Sequence, residues 1–338
     1  MDIKVHVVAF FVIVFICYKK LGVEEKMDKK VIIPKEFAHY LGEPLRDYGF
    51  EVVELEDQYA ETLLQHKDAD GMVLNATPLS NETIDQMPNL KVIARFGVGY
   101  DNVDLNHCKE RGIYVTNTPG GNEVAVAECA VTDILILSKN LYTVSQKMHE
   151  GDDSYAFHHP SHDIKGKTIG IVGYGNIGQQ AAKMLSGFGV NTLIWNRSPK
   201  TSEYGEFVEW DELFKRSDFV SLHLPAVKGT IGSVNKETFK MMKNSAFIVN
   251  FARGAVINEQ DMIEALKSGE IAGAGLDVFE KEPLPMDSEL RKLPNVFMTP
   301  HNSGFSVESF TKISNMASSE VNHVLNGEKP EHCVNGLD

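Results

Sequence analysis

The stretch Thr168-Ile169-Gly170-Ile171-Val172-Gly173-Tyr174-Gly175-Asn176-Ile177-Gly178 decides the fold of this chain. A short apolar run, typical of a buried strand, ends in a G-x-G-x-x-G turn, and residues 179–188 continue as a predicted helix. In such a turn Gly173 permits the tight bend, Gly175 lets the backbone approach a pyrophosphate, and Gly178 lets helix and strand pack closely. The helix N-terminus offers free amides and the positive end of its dipole to phosphates. The sequence therefore predicts dinucleotide binding at Gly173, Gly175, Asn176, Ile177 and Gly178, with a purely structural glycine turn as the alternative.

Short apolar runs alternate with helix-length segments along the chain from Lys29 onward. Many of these runs lack polar–apolar alternation, as expected for parallel strands that are covered on both faces. Repeated strand–helix–strand units predict an α/β fold with two doubly wound parallel-sheet domains. The first series of predicted strands is Val31–Ile33, Val52–Leu55, Gly71–Leu74, Val92–Arg95 and Tyr114–Thr116, and the second is Thr168–Val172, Thr192–Trp195, Phe219–Leu224, Ala246–Asn250, Gly273–Asp277 and Val296–Met298.

Two long helices set the expected domain boundaries. Asn122–Leu137 lies between the two strand series and consists almost entirely of helix formers, and Ser306–Asn326 follows the last strand. If the final helix returns the chain to the first domain, that domain is discontinuous in sequence. We therefore expect a substrate domain of residues 27–125 plus 312–338 and a dinucleotide-binding domain of residues 126–311.

Length and charge narrow the class of protein. At 338 residues the chain is long enough for two domains. The 33 Lys and Arg residues against 47 Asp and Glu give a net charge of -14, which disfavours binding to nucleic acid or to an anionic membrane. The four cysteines form no CxxC pair, so we expect reduced thiols in a cytoplasmic protein and no metal site.

The N-terminus departs from this pattern. Val5–Tyr18 is largely apolar and precedes Lys19 and Lys20, but it is shorter than the roughly 20 residues of a membrane-spanning helix. Met27 opens a charged segment that leads into the first predicted strand, as at a natural chain start. We expect residues 1–26 to be an extension from an upstream start codon, with a membrane anchor or packed structure as the alternatives.

The end of the second strand after the glycine turn bears on the choice of dinucleotide. NAD enzymes usually carry Asp or Glu there to bind the ribose hydroxyls. Here the strand ends in Asn196-Arg197-Ser198-Pro199-Lys200, which has no carboxylate. Arg197 and Lys200 supply charge, and Ser198 a hydroxyl donor, for a 2′-phosphate. We therefore predict NADP bound at Asn196, Arg197 and Ser198, while an NAD enzyme with a solvated Arg197 remains the alternative.

Three reactive side chains each follow a predicted strand, where ligands of parallel sheets bind. Arg253 can hold a carboxylate and polarise a neighbouring keto oxygen. His301 can protonate the developing alkoxide near neutral pH. A carboxylate at Glu282 can fix the tautomer of that imidazole and keep it protonated. Together they predict a catalytic set for the reduction of a 2-keto acid.

At this point the sequence resembles the D-isomer-specific 2-hydroxyacid dehydrogenase family from Met27 to Asp338. The resemblance rests on the glycine turn and on several further stretches: Arg95–Asp104, Asn117-Thr118-Pro119, Ala125-Val126-Ala127-Glu128, His223-Leu224-Pro225, Asn250–Gly254, Asp277-Val278-Phe279, Glu282-Pro283, and Pro300-His301 with Gly304.

The resemblance implies a Rossmann-like cofactor domain, a flavodoxin-like split substrate domain, and a homodimer. It implies that Arg253 binds and polarises the substrate, that His301 is the acid/base, and that Glu282 is its partner. It further implies that the backbone of Val98 and Gly99 cradles the substrate carboxylate. The residues that it places along the cofactor are Thr132, His223, Ala252 and Asp277.

The sequence departs from the family pattern at Asn196-Arg197-Ser198 and at Tyr155–His162. The second segment holds His158, His159 and His162, for which a solvated or interface loop is favoured over a metal site because no carboxylate or thiolate stands at ligand spacing.

The substrate is predicted less sharply than the reaction. The chain ends at Asp338 without the C-terminal regulatory domain that phosphoglycerate dehydrogenases commonly carry, and residues 74–87 contain no Lys or Arg for a substrate phosphate. These points favour glyoxylate, hydroxypyruvate or a similar acid. D-3-phosphoglycerate dehydrogenase activity with NAD is the alternative, and a dinucleotide-sensing binding protein or corepressor is the alternative of another class.

Overall fold

The computed structural model describes residues 29–198 and 200–337. It divides into two compact units. Of the described residues, the first comprises 29–121 together with 311–337, and the second lies within Asn122–Phe310. The expected boundaries, 125/126 and 311/312, fall four residues and one residue further along the chain. The segment 1–26, expected to be an extension, lies outside the described residues.

The first unit is built on a five-stranded parallel sheet with strand order β2-β1-β3-β4-β5. Two of its inner strands, β3 and β4, are buried along their whole length. The strands are β1 (Lys30–Pro34), β2 (Glu51–Leu55), β3 (Gly71–Leu74), β4 (Val92–Arg95) and β5 (Tyr114–Thr116).

The second unit is built on a seven-stranded parallel sheet with strand order β12-β11-β10-β9-β6-β7-β8. Its strands are β6 (Thr168–Val172), β7 (Asn191–Trp195), β8 (Glu206–Phe207), β9 (Phe219–Leu222), β10 (Phe247–Asn250), β11 (Gly273–Leu276) and β12 (Val296–Met298). The chain runs outward from β6 to β8 and then returns to β9 on the other side of β6. The order therefore reverses between β6 and β9, which is where doubly wound sheets bind ligands.

Helices connect the strands of both sheets. In the first unit they are α1 (Ala38–Asp47), α2 (Ala60–Leu63), α3 (Asn81–Asp85), α4 (Leu105–Glu110) and α12 (Val307–Leu325), the last of which begins just before the unit boundary. In the second unit they are α5 (Glu123–Lys139), α6 (Leu141–His149), α7 (Tyr155–His158), α8 (Asn176–Leu185), α9 (Trp210–Arg216), α10 (Lys236–Met241) and α11 (Glu259–Ser268).

Both faces of the second sheet are covered, which explains the continuous apolar runs in its strands. In β10, Ile248 packs in the cluster that contains Phe214 and Phe239 from α9 and α10. Its neighbour Val249 packs in the cluster that contains Ile134 from α5 and Leu185 from α8. Successive side chains point to opposite faces of a strand, so a strand buried on both faces needs apolar residues at every position.

The predicted fold class, two doubly wound parallel-sheet domains, is confirmed, and the differences are local. The helix expected at 179–188 begins at Asn176 and gives way to a 3-10 turn at Ser186–Phe188. The strand predicted to reach Leu224 ends at Leu222, and the two-residue strand β8 was not predicted. Tyr155–His158 is one helical turn rather than a loop. Within the described part of the chain, no helix has the length and apolar character needed to cross a membrane.

Candidate active site

The glycine turn has the shape that its sequence predicts. Gly173 adopts φ 98°, and a Cβ atom on it would lie 2.5 Å from the His223 carbonyl oxygen. A Cβ on Gly178 would lie 2.1 Å from the Gly173 carbonyl oxygen, so helix α8 packs directly on the turn. By contrast, a Cβ on Gly175 would meet nothing within 4 Å. The backbone at the N-terminus of α8 is therefore open, as the approach of a pyrophosphate requires.

The loop after β7 is fastened to this turn through polar side chains. Asn196 accepts a hydrogen bond at Oδ1 from the Tyr174 amide (3.0 Å) and donates through Nδ2 to the Ser198 carbonyl (2.7 Å). Lys200 donates from Nζ to the Tyr174 carbonyl (2.7 Å), and the Tyr174 hydroxyl contacts Ser202 Oγ (2.5 Å). Sequence reasoning placed Asn196 along the cofactor and Lys200 beside its 2′-phosphate but missed their bonds to Tyr174.

Arg197 occupies a different position in the same loop. Its side chain is exposed and makes no hydrogen bond or ion pair with another residue of the ranges 29–198 and 200–337. Ser198 is also exposed, and no carboxylate stands among residues 196–198. The end of β7 therefore presents a free guanidinium. An acidic residue at this position, as NAD enzymes usually have, would repel a 2′-phosphate.

His223 follows β9, on the other side of the sheet reversal. Its Nε2 atom lies 2.9 Å from Ser221 Oγ, while its Nδ1 atom is buried and has no partner in the described part of the chain. Burial lowers the pKa of His223 to about 4, so the imidazole is neutral at physiological pH. The unpartnered Nδ1 atom of His223 lies near the glycine turn and could bind a polar ligand there.

The other residues expected along a cofactor differ in their surroundings. Thr132 is exposed on α5, and Ala252 is buried, its amide bonded to Asn250 Oδ1 (3.0 Å). Asp277 is fully buried, and both of its carboxylate oxygens accept hydrogen bonds from the protein. Their donors are Thr299 Oγ1 (2.6 Å), the Asn302 amide (3.0 Å) and the Ser303 amide (3.1 Å). The Asp277 carboxylate thus braces the loop that carries His301.

The three reactive residues follow three adjacent strands. Arg253 follows β10, Glu282 follows β11 and His301 follows β12, and these strands are neighbours in the sheet. The Nδ1 atom of His301 lies 2.6 Å from Oε2 of Glu282. Sequence reasoning proposed this pair, and the structure brings the two side chains into hydrogen-bond contact.

The backbone holds His301 in an uncommon conformation. Its φ is 54°, in the left-handed region, and its amide donates to the Asp277 carbonyl (2.8 Å). Outside glycine, only a few residues of the described chain adopt a positive φ, and such a conformation is often found at functional sites.

Glu282 is held as a carboxylate. Its burial raises the pKa of the carboxyl, but hydrogen bonds from His301 and the Phe279 amide (3.0 Å), with the charge of Arg253, more than offset that effect. The pKa of Glu282 therefore lies below its ordinary value, and the side chain is ionised at neutral pH. An ionised Glu282 can accept the Nδ1 proton of His301, and Nε2 is then the ring nitrogen left available for proton exchange.

Arg253 lies three residues beyond the end of β10. Its Nη1 atom donates to the Ala252 carbonyl (2.8 Å), and its own carbonyl accepts from Asn250 Nδ2 (3.1 Å). Because its charge contributes to the lowered pKa of Glu282, the guanidinium lies within electrostatic reach of the His301–Glu282 pair.

In the first unit, Val98 and Gly99 lie in the turn after β4. The Val98 carbonyl accepts from Asn117 Nδ2 (2.8 Å) and the Gly99 carbonyl from Arg95 Nε (3.0 Å). Sequence reasoning did not single out Arg95 or Asn117 individually, although both lie in motifs that carry the family resemblance.

The histidines of the 155–162 segment do not converge. His159 stacks on Tyr155, with 3.9 Å between ring centroids, and the His162 amide donates to the Ser138 carbonyl (2.9 Å). Across residues 29–198 and 200–337, one group has metal-ligand geometry, formed by Glu320, Glu331 and His332. Its buried Glu320 already bonds His332 Nδ1 (2.8 Å), which accounts for the burial of that carboxylate without an ion.

The chain is similar to known proteins over most of its length. A family profile described as "D-isomer specific 2-hydroxyacid dehydrogenase, NAD binding domain" matches residues 131–303. A glyoxylate reductase of Korarchaeum cryptofilum is 38% identical over 277 residues, which cover 80% of this chain and 83% of that protein. A D-3-phosphoglycerate dehydrogenase of Methanocaldococcus jannaschii is 37% identical over 282 residues, covering 81% of this chain and 53% of that protein.

A solved structure of D-lactate dehydrogenase with NAD+ from Lactobacillus jensenii superposes with a TM-score of 0.76 at 27% identity, over 90% of this chain and 99% of that one. The fold, the profile and the relatives agree with each other. The chain therefore belongs to the D-isomer-specific 2-hydroxyacid dehydrogenase family and is an NAD(P)-dependent dehydrogenase.

Proposed function

We propose that this enzyme uses NADPH to reduce a small unphosphorylated 2-keto acid, such as glyoxylate or hydroxypyruvate, to the D-2-hydroxy acid. The observation that carries the reductive chemistry is the 2.6 Å contact between His301 Nδ1 and Glu282 Oε2. An imidazole paired in this way presents one defined nitrogen as a proton donor, and it sits beside an arginine able to polarise a carbonyl. The corepressor alternative is set aside because the chain is a dehydrogenase.

In this proposal each residue has one role. When bound, the nicotinamide supplies the hydride that adds to the substrate carbonyl carbon. His301 delivers the proton from Nε2 to the carbonyl oxygen, Glu282 stabilises the charged imidazole, and Arg253 stabilises the negative charge that develops on that oxygen. The amides of Val98 and Gly99 are proposed to bind the substrate carboxylate.

The cofactor is proposed to lie along the open glycine turn. Gly175, Asn176 and Ile177 would hold the pyrophosphate at the N-terminus of α8. His223, Thr132, Ala252 and Asp277 are the remaining proposed cofactor neighbours; the neutral His223, with its unpartnered Nδ1 atom, offers one polar contact. The free guanidinium of Arg197 and the exposed Ser198 support NADP, because both suit a 2′-phosphate and no carboxylate opposes it.

An unphosphorylated substrate is supported by the first unit. Residues 74–87 contain no Lys or Arg. The first basic residues after this loop are Lys91 and Arg95. The Arg95 guanidinium donates to the carbonyls of Leu74, Asn75 and Gly99. The alternative, D-3-phosphoglycerate dehydrogenase activity with NAD, would need cations for the phosphate of its substrate.

We further propose that the enzyme is a homodimer. Large apolar side chains are exposed on α6 and α7, including Leu141, Met148 and Phe157, the last with 86% of its surface accessible. Exposed apolar clusters of this kind often mark protein interfaces. A monomeric mass in light scattering would contradict this proposal.

The test is a panel of 2-keto acids with both cofactors. Glyoxylate, hydroxypyruvate, pyruvate and 3-phosphohydroxypyruvate are assayed with NADPH and with NADH, and His301→Asn serves as the matched variant because Asn tolerates the left-handed backbone at this position. We expect turnover of glyoxylate or hydroxypyruvate with NADPH and a loss of about 10²- to 10⁴-fold in kcat for His301→Asn. Preference for the phosphorylated acid, or unchanged turnover in His301→Asn, would reject the proposal.

A further inference from the structure

Arg95 is a charged residue in an unusual place, at the end of the buried inner strand β4 with 6% of its surface accessible. Its Nη1 atom donates to the carbonyls of Leu74 and Asn75 at the end of β3, and its Nε atom donates to the Gly99 carbonyl (3.0 Å). One guanidinium thus ties the end of β3 to the turn of residues 96–99. A buried guanidinium is tolerated only when its donors are satisfied, and these carbonyls satisfy it.

Three consecutive carbonyls of this turn are held by neighbouring groups of the same unit. The Gly97 carbonyl accepts from the Thr118 amide (3.1 Å), the Val98 carbonyl from Asn117 Nδ2 (2.8 Å), and the Gly99 carbonyl from Arg95 Nε. Gly97 adopts φ 140°, a conformation that L side chains rarely adopt, so this turn depends on glycine at its start.

The carbonyl contacts determine where the amides point. In a trans peptide the carbonyl and the following N–H point in opposite directions. The carbonyls of residues 97, 98 and 99 point towards their hydrogen-bond donors. The N–H groups of the same three peptides, which belong to Val98, Gly99 and Tyr100, therefore point away from those donors. None of these three amides donates a hydrogen bond within the described ranges. Successive free amides in a turn are the kind of donor group that binds an anion such as a carboxylate.

We propose that Arg95 is a positioning residue for carboxylate binding, because by holding the Gly99 carbonyl it orients the Tyr100 amide as a third donor beside those of Val98 and Gly99. The inference rests on the proposed function and deepens it, since it assigns the carboxylate of the substrate to three amides and their alignment to one buried arginine. Only arginine can serve here. Lysine has a single nitrogen and cannot span the end of β3 and the Gly99 carbonyl with a planar fork.

The experiment compares Arg95→Met and Arg95→Lys with Arg111→Met. Arg111 is a suitable control because it lies in the same unit and donates to the Ile84 carbonyl and to Asp85, far in sequence from the 96–99 turn. The probe is oxamate, an unreactive 2-keto acid isostere, and its Kd is measured by fluorescence titration with saturating NADPH. The KM values for the 2-keto acid and for NADPH are measured alongside.

We expect the oxamate Kd and the 2-keto acid KM to rise roughly 10- to 100-fold in Arg95→Met, as for a lost hydrogen bond to a charged group. Arg95→Lys should fall between Arg95→Met and the unmodified enzyme, and the KM for NADPH and the Arg111→Met values should stay unchanged. A purely structural role for Arg95 would change the melting temperature without separating the two KM values. Equal oxamate affinity in Arg95→Met and Arg111→Met overturns the inference.

Two arms keep the result decisive. Should Arg95→Met fail to fold, Asn117→Ser is the second variant, because it removes the hydrogen bond to the Val98 carbonyl. We expect Asn117→Ser to raise the Kd for oxamate as well. Unchanged oxamate binding in both Asn117→Ser and Arg95→Lys overturns the inference. Because oxamate binding needs no turnover, a wild-type enzyme that reduces no 2-keto acid rejects the proposed function separately, while Arg95-dependent binding still supports the carboxylate site.

Discussion

The Nδ1 atom of His301 lies 2.6 Å from Oε2 of Glu282, while the other oxygen of Glu282 accepts a hydrogen bond from the Phe279 amide at 3.0 Å. The carboxylate is thereby fixed on both sides, and the imidazole can rotate little without breaking the contact. The residues come from segments after two adjacent strands, β11 and β12, so the sheet itself sets their separation. The Asp277 carboxylate also holds the loop that carries His301, because it accepts hydrogen bonds from the amides of Asn302 and Ser303.

Replacing Glu282 by Gln removes the negative charge beside His301 but keeps nearly the same side-chain shape. The amide keeps an oxygen that can accept the Nδ1 proton but removes the negative charge beside the imidazole. We expect kcat to fall at least about 10-fold while the KM for NADPH stays unchanged. The measurement is steady-state kinetics with the best substrate of the 2-keto acid panel, and equal kcat values for the two proteins would contradict the assigned role of Glu282.

The same variant makes a prediction about stability at acid pH. The folded state lowers the pKa of Glu282 below its ordinary value of 4.5, so the stabilisation by the ionised carboxylate is present above that value. It is lost as the pH falls through the lowered folded pKa. We expect the melting temperature of Glu282→Gln to depend less on pH on the acid side of 4.5 than that of the wild type. If the melting temperatures of the two proteins change in parallel from pH 3 to 6, the lowered pKa of Glu282 does not contribute to stability.

Arg197 offers a direct test of cofactor choice. Its guanidinium is exposed and unpaired within the described part of the chain, so its removal breaks no hydrogen bond or ion pair there. We expect Arg197→Ala to raise the KM for NADPH about 10-fold, because a charge-assisted contact to the 2′-phosphate is lost, and to leave the KM for NADH unchanged.

The control for this variant is Arg216→Ala, which removes an exposed arginine that pairs with Glu212. It should leave both KM values unchanged. A wild-type enzyme that prefers NADH, or an equal rise in both KM values for Arg197→Ala, would contradict the assignment of NADP to the loop after β7.

Much of the fold follows from local sequence patterns. The inner strands β3, β4, β9 and β11 are visible as apolar runs because they are covered on both faces. Strand β8 is missed because it has only two residues, Glu206 and Phe207, at the edge of the sheet. Such a strand is set by its neighbour β7 and has no periodicity of its own.

Contacts between distant segments account for what the sequence could not predict. Asn196 was expected beside a cofactor because it directly follows β7, yet its side chain bonds the Tyr174 amide, 22 residues earlier. Arg95 lies in a motif shared with the family, but its three carbonyl partners depend on how β3 and the 96–99 turn meet. Asp133 lies on α5 opposite Gly275 of β11, and neither position has a local signal of this contact.

Asp133 is a buried carboxyl group that the proposed reaction does not use. It is 4% exposed, its Oδ2 atom has no partner among the described residues, and a Cβ on Gly275 would lie 2.7 Å from that atom. Burial, with a contribution from the charge of Asp277, raises the pKa of Asp133 to about 8. The side chain is therefore mostly protonated at neutral pH in the folded protein.

This pKa predicts how stability depends on pH. Since the folded pKa lies above the unfolded value of about 3.9, the stabilisation linked to this proton is complete below the unfolded value and is lost as the pH rises through about 8. Asp133→Asn keeps the shape of the side chain and removes the titration. We expect the variant to melt higher than the wild type by roughly 3 °C or more at pH 8, and the difference to shrink towards pH 4.

The measurement is differential scanning fluorimetry of both proteins at several pH values from 4 to 9. Asp163→Asn is the matched control, because Asp163 is an exposed carboxylate of the same unit that pairs with Lys139, and its pKa is lowered by the hydrogen bond from that lysine. The control should show no gain over the wild type between pH 6 and 9. A difference between Asp133→Asn and wild type that stays constant from pH 4 to 9 would show that Asp133 keeps its charge in the fold, because only a group that takes up a proton on folding makes the difference grow with pH.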